Sequence, residues 1–220
     1  MRSQEISLKN STLRMIDELY MRHPVLGVCD NDIVETVGLL TRTFVVGGKL
    51  LTAGNGGSAA DAQHIVGELM KGFALPRRLT ETDEQKFANA PNRQVLMSEL
   101  QKTLPAISLV GETALMTAFA NDKAPEFAFA QQVYGLGRPG DVFFGISTSG
   151  NSLNILYASQ TAKAVGMSVV GLAGENGGKL RELCDVCITV PETETYKIQE
   201  LHLPVYHTMC LALENEFFGG

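Results

Sequence analysis

The chain has 220 residues, 45% hydrophobic and 19% charged, with a net charge of −6. That balance excludes intrinsic disorder and is enough for one well-cored domain. The acidic surplus argues against a nucleic-acid surface, so an anionic ligand has to be held locally, by backbone dipoles and hydroxyls rather than a broad basic field.

The stretch Met1-Arg2-Ser3-Gln4-Glu5 lacks a signal-peptide core, and no apolar run reaches the ~18 residues of a membrane span. The expectation is a cytoplasmic protein with no membrane partner. Its cysteines, Cys29, Cys184, Cys187 and Cys210, are then expected to be reduced. Cys184-Asp185-Val186-Cys187 is formally C-x-x-C, but a zinc ribbon needs a second such pair, so ordinary packing is the reading.

Residues 7–23 place Leu13, Ile16, Leu19 and Tyr20 at helical spacing, and Pro24 ends the run. A second helix is predicted over 30–46, capped by Asp30 or Asn31 and stopped by Gly47-Gly48. Two apolar helices ahead of the first strand suggest a packing or oligomer layer.

A short apolar strand, Leu50 to Ala53, then enters Gly54-Asn55-Gly56-Gly57-Ser58, and a helix leaves it, running to about Lys71. The polar segment 74–103 follows, with short helices expected near 81–87 and 95–100. A connection this long is usually functional or mobile. Strands are predicted at 105–110, 141–146, 168–173 and 186–190. Helices are predicted at 112–120 (ending at Asn121-Asp122), 125–136, from Ser152 to about 165, 177–183, and 195–217. Apolar strands alternating with helices predict an α/β fold, a five-stranded parallel sheet covered on both faces, in one domain spanning 1–220.

Ligands of such sheets bind at the carboxyl ends of strands. Two small-residue loops lie there. Ser147-Thr148-Ser149-Gly150-Asn151-Ser152 offers hydroxyls, a flexible glycine and a helix N-terminus, which together surround a phosphate without a basic residue. Gly54-Asn55-Gly56-Gly57-Ser58-Ala59 fits the dinucleotide pattern G-x-G-x-x-A. However, the acidic residue needed about 20 positions on is missing, and no Gly-Lys-Ser/Thr follows, so no nucleotide cofactor is expected. One turn into the helix after that loop, His64 and Glu68 share a face.

The two loops, together with Asn121-Asp122, resemble the sugar isomerase (SIS) domain family, and within it the branch acting on sedoheptulose 7-phosphate. The likeness spans nearly the whole chain. It implies a flavodoxin-like three-layer fold with an N-terminal helical pair. The reaction it implies is aldose–ketose isomerisation of sedoheptulose 7-phosphate to D-glycero-D-manno-heptose 7-phosphate through an enediolate. It assigns substrate contacts to Asn55, Gly56, Gly57, Ser58, Glu68, Asn121, Asp122, Ser147, Thr148, Ser149, Ser152 and Gln199, with phosphate on the serine loop. Glu68 and His207 become the catalytic pair. It also implies one zinc per subunit on His64, Glu68, Gln199 and His207: two nitrogen and two oxygen donors suit zinc, and Gln199 and His207, a little over two turns apart, roughly share a face of the last helix, whereas His202 lies on another side. A homotetramer with sites at subunit interfaces is implied as well, the last-helix pair then facing the first-helix pair of another subunit.

The sequence departs from the family in three places. Lys71 stands where an arginine is usual, Tyr196 where an acidic residue is usual, and segment 74–103 is longer. Two rival readings remain: an isomerase of another (amino-)sugar phosphate, and a non-catalytic SIS protein that binds a sugar phosphate or a protein partner. Members of the latter kind lack the glutamate and the final histidine, both present here.

Overall fold

The computed structural model describes residues 7–220; Met1–Glu5, read above as lacking a signal core, lies outside them. The strands are β1 (Leu50–Ala53), β2 (Ala106–Ser108), β3 (Val142–Ile146), β4 (Ser168–Ala173) and β5 (Val186–Thr189). They form one five-stranded sheet in the order β2-β1-β3-β4-β5, every pairing parallel.

The helices are α1 (Asn10–Arg22), α2 (Asp30–Val45), α3 (Gly57–Met70), α4 (Glu81–Glu84), α5 (Arg93–Glu99), α6 (Thr113–Asp122), α7 (Ala128–Leu136), α8 (Leu153–Ala164), α9 (Leu180–Leu183) and α10 (Thr195–Phe218). Alternate strand residues point to opposite faces. Leu50, Val142, Phe144, Ile146, Val170, Leu172 and Ile188 pack under α1, α2, α3 and α10. Leu51, Ala53, Phe143 and Val169 pack under α7, α8 and α9 on the other side. Burial on both faces explains why the strands read as continuous apolar runs.

Two local expectations change. Neither Asp30 nor Asn31 caps α2, because a 3₁₀ turn over Pro24–Cys29 leads straight into it and puts Cys29 at the cap position. Asp30 and Asp32 instead sit in the first turn, where negative charge meets the positive end of the helix dipole. The helix predicted to stop before Asn121 continues through Asp122. The last helix, predicted over 195–217, is one element, Thr195–Phe218, with Pro204 inside it.

The long segment after α3 is an excursion closed at its base. Arg78 bridges Gln101, the Lys102 N–H donates to the Arg77 carbonyl at 2.7 Å, and the Leu104 N–H donates to Leu69 at 3.0 Å. Its outer part, α4 and α5, buries no side chain. Arg77, by contrast, is fully buried, and its Nε lies 2.8 Å from Glu214 Oε1 on α10. Its other nitrogens donate to the carbonyls of Leu69 (2.6 Å) and Glu68 (2.9 Å), the exposed acceptors at the end of α3. Glu214 also accepts the N–H groups of Phe73, Ala74 and Leu75 at 2.7–2.9 Å. Nothing in the sequence separates this ion pair from surface charges.

Candidate active site

β1 and β3 are neighbours, with Ala53 level with Gly145, so the loops that follow them meet. This is where the strand order reverses, the place such sheets bind ligands. A cleft of about 300 Å³ is lined there by Asn55, Gly56, Gly57, Ser58, Ser147, Thr148, Ser152 and Gln199, among others. The N-termini of α3 and α8 open at it, and neither is capped by a side chain. Ser58, Ala59 and Ile155 donate their N–H groups within their own turns, which leaves those of Gly57, Leu153 and Asn154 to meet an anion.

The cleft is held by small residues and amides. Gly56 adopts φ +55°, a conformation that favours glycine. A Cβ on Gly57 would stand 2.7 Å from the Gln199 Nε2, so the missing side chain is what admits Gln199. Asn55 and Asn154 exchange amide hydrogen bonds at 3.0 and 2.8 Å. Ser147 donates to the Ser152 Oγ at 3.0 Å. Ser149 is turned into its own loop, its Oγ accepting the Asn151 N–H at 3.2 Å. Asn154 and the cleft-lining Thr195 escaped the sequence reading, although Asn154 stands only two residues beyond the serine loop.

Gly150 has φ +63°, and a Cβ there would overlap the backbone carbonyl of Gly177. A strained φ costs about 1–3 kcal/mol, and a backbone oxygen cannot yield cheaply, so Gly150→Ala is expected to lose about 2–4 kcal/mol. Urea unfolding measures it; an unchanged midpoint would mean that the loop re-forms around the methyl group.

Seven residues further along α3 and eight further along α10, the two helices meet again. The His64 Nε2 is 3.2 Å from Glu68 Oε1. The other Glu68 oxygen is 2.7 Å from the Lys71 ammonium, so the lysine in the family's arginine position pairs with the glutamate. The His64 and His207 rings stand edge to face, 4.9 Å between centroids. His207 also contacts Phe73 and Tyr206. Burial, then the neighbouring His64, pushes the His207 pKa below its ordinary value, with Glu68 pulling the other way. His202 is fully buried and its pKa falls to about 4, chiefly through burial.

Of the residues singled out from sequence, the structure thus brings His64, Glu68 and His207 together within one chain. Gln199 lies beside Gly57 instead. Eight residues of helix are about 12 Å of rise, which separates it from His207. Asn121 and Asp122 end α6, bonded to each other at 2.9 Å and exposed; they do not line the cleft.

The SIS domain family model matches residues 96–174. A phosphoheptose isomerase of Akkermansia muciniphila is 36% identical over 210 residues, covering 91% of this chain and 98% of that protein. The chain belongs to the phosphoheptose isomerase family. A second phosphoheptose isomerase, from Rhodospirillum rubrum, is 42% identical over 190 residues, 86% of this chain and 88% of that protein. Among solved structures, phosphoheptose isomerase GmhA from Neisseria gonorrhoeae aligns with a TM-score of 0.70 at 32% identity, covering 93% of this chain and 94% of that one. The phosphoheptose isomerase from Francisella tularensis gives 0.73 at 29% identity, covering 94% and 96%. The fold expected from the strand and helix pattern is the fold of these phosphoheptose isomerases.

Zinc can be tested against the donors present. The His207 Nε2 is buried with no hydrogen-bond partner, and it belongs to a ring packed on that of His64. Two imidazoles and a carboxylate are donors that zinc takes. Among the described residues no three or more His, Cys, Asp or Glu side chains are grouped so as to hold a metal ion. The fit therefore lies in the donor types of His64, Glu68 and His207, while Gln199 stands at the cleft.

Proposed function

We propose that the chain is an aldose–ketose isomerase of sedoheptulose 7-phosphate, with the phosphate on the cleft of small residues and the reacting carbons at Glu68 and His207. The observation that carries this reading is the spacing of the two centres along the α3–α10 seam. Gly57 with Gln199 marks one level, and His64 with His207 marks the other. Seven residues of helix separate them by about 10 Å, comparable to the length of an extended seven-carbon sugar phosphate.

In this reading Glu68 takes a proton from C1 of the open-chain ketose while the C2 oxygen gains one, giving the enediol. The O1 proton then leaves as C2 is protonated, giving the aldose, so atoms and electrons balance. His207, its pKa lowered by burial, is neutral near pH 7 and moves the proton between the two oxygens. Lys71, 2.7 Å from Glu68, holds the carboxylate in place and offers a cation to the developing enediolate. Zinc on His64, Glu68 and His207 would polarise the carbonyl and hydroxyl oxygens.

The proposal includes a homotetramer with sites at subunit boundaries. In its favour, α6 buries no side chain despite its apolar sequence, and Met21, Val25 and Val28 are exposed. Light scattering at working concentration tests this, and a monomer would contradict it. For the reaction, the full-length protein is incubated with sedoheptulose 7-phosphate and the aldose followed by proton NMR. In deuterated water the product is expected to carry deuterium at C2. No turnover, with or without added zinc, would overturn the reading.

A further inference from the structure

Asp61 and Tyr206 lie behind His64 and take no part in the chemistry above. The Tyr206 hydroxyl is 3.2 Å from Asp61 Oδ1 and 3.1 Å from the His64 Nδ1. It has one proton and two claimants. An ionised carboxylate only accepts, and a neutral imidazole has one donor nitrogen and one acceptor.

Two facts decide where the proton goes. The second Asp61 oxygen is buried and unpartnered, so losing the Tyr206 bond would strand a carboxylate with nothing to solvate it, a large cost. On the far side of the ring, Glu68 competes for a hydrogen on Nε2, but it already has the Lys71 ammonium at 2.7 Å and needs that hydrogen less. Tyr206 therefore donates to Asp61 and accepts from the His64 Nδ1. The Nε2, 3.2 Å from Glu68 Oε1, is left with its lone pair.

We infer that Asp61 and Tyr206 form a tautomer lock, which keeps the hydrogen of His64 on Nδ1 and presents the Nε2 lone pair to the Glu68–His207 centre. That is the form of histidine that ligates a cation, and a carboxylate behind the ring is the usual way proteins orient such a ligand. Asp61 and Tyr206 are thus positioning residues that act through His64. The tautomer stands independently of the proposed reaction; only its use toward a metal rests on that reading.

Long-range proton–nitrogen NMR of chelator-treated, ¹⁵N-labelled full-length protein at about pH 8, above the ordinary imidazole range, reads the tautomer directly. The native ring is expected to carry its hydrogen on Nδ1. In Tyr206→Phe the hydrogen should pass to Nε2, toward Glu68. Asp61→Leu removes the acceptor altogether, which frees the Tyr206 hydrogen for the His64 Nδ1 and is expected to do the same; it serves if Tyr206→Phe fails to fold by circular dichroism. Chelator-competition titration with zinc should show affinity about 10–100-fold lower in both variants. A native ring protonated on Nε2, or variants that keep Nδ1–H, would overturn the lock. Unchanged zinc affinity with a switched tautomer would overturn its use toward a metal. Neither readout depends on turnover, so a protein inactive on sedoheptulose 7-phosphate still tests the lock.

Discussion

Glu68→Gln is expected to lower turnover of sedoheptulose 7-phosphate by about 10²–10⁴-fold, the usual worth of a positioned general base, while substrate affinity stays within a few-fold. The side chain keeps its length and can still meet His64 and Lys71, but an amide does not remove a proton from carbon. In the proposed reading the phosphate end of the substrate binds two helical turns away, at the cleft lined by Gly56, Ser58, Ser147 and Ser152, so binding energy from that end is untouched. The fall should therefore appear in kcat rather than KM. Proton NMR gives the rate and calorimetry the affinity. Near-normal turnover would remove Glu68 from the chemistry, and lost affinity with unchanged kcat would make it a binding residue.

Breaking the Arg77–Glu214 pair is expected to have the largest effect on stability. Both side chains are almost wholly shielded from water, and removing one partner of a buried pair typically costs about 3–5 kcal/mol, because the other charge is left uncompensated. Arg77→Met also strips donors from the Leu69 and Glu68 carbonyls. For a chain of this size each kcal/mol moves the melting temperature by about 2–4 °C, so a fall of roughly 10 °C or more is expected. The double variant Arg77→Met with Glu214→Gln should recover part of it, since the stranded charge is gone. A fall of a degree or two in either single variant would show that water reaches the pair.

The same pair sets an acid limit. Burial by itself would raise the Glu214 pKa, but three backbone N–H groups and Arg77 outweigh it and hold the carboxyl below its ordinary value of 4.5. A carboxyl held low in the folded state contributes stability that is fully present above the unfolded value and is lost as pH falls through the folded one. Wild-type stability should therefore drop with acid below about pH 4.5. Glu214→Gln should lack that part of the slope; an identical slope would assign it to other carboxylates.

Much of this molecule is written in local pattern. Apolar strands of three to six residues, glycine and hydroxyl loops after two of them, and helical spacing elsewhere predict the layered sheet. Only ends and caps shifted, since a 3₁₀ turn ahead of α2 leaves no apolar rhythm to read. The four-residue spacing of His64 and Glu68 is likewise a local fact, because an α-helix repeats every 3.6 residues.

By itself, then, the sequence determined the element order, the two loops and the family, all of which depend on residues close together in the chain. The tertiary structure alone decided which side chains meet across it. Arg77 finds Glu214 at a separation of 137 residues, and Tyr206 finds Asp61 at 145. The paired run of α3 and α10 sets His207 on His64 and leaves Gln199 beside Gly57. The stretch Leu50 to Leu69 holds one half of each centre, and α10 supplies the other. The physical reason is that periodicity tells which face of a helix is apolar, whereas only the packing of two helices against one sheet fixes which level of one lies beside which level of the other.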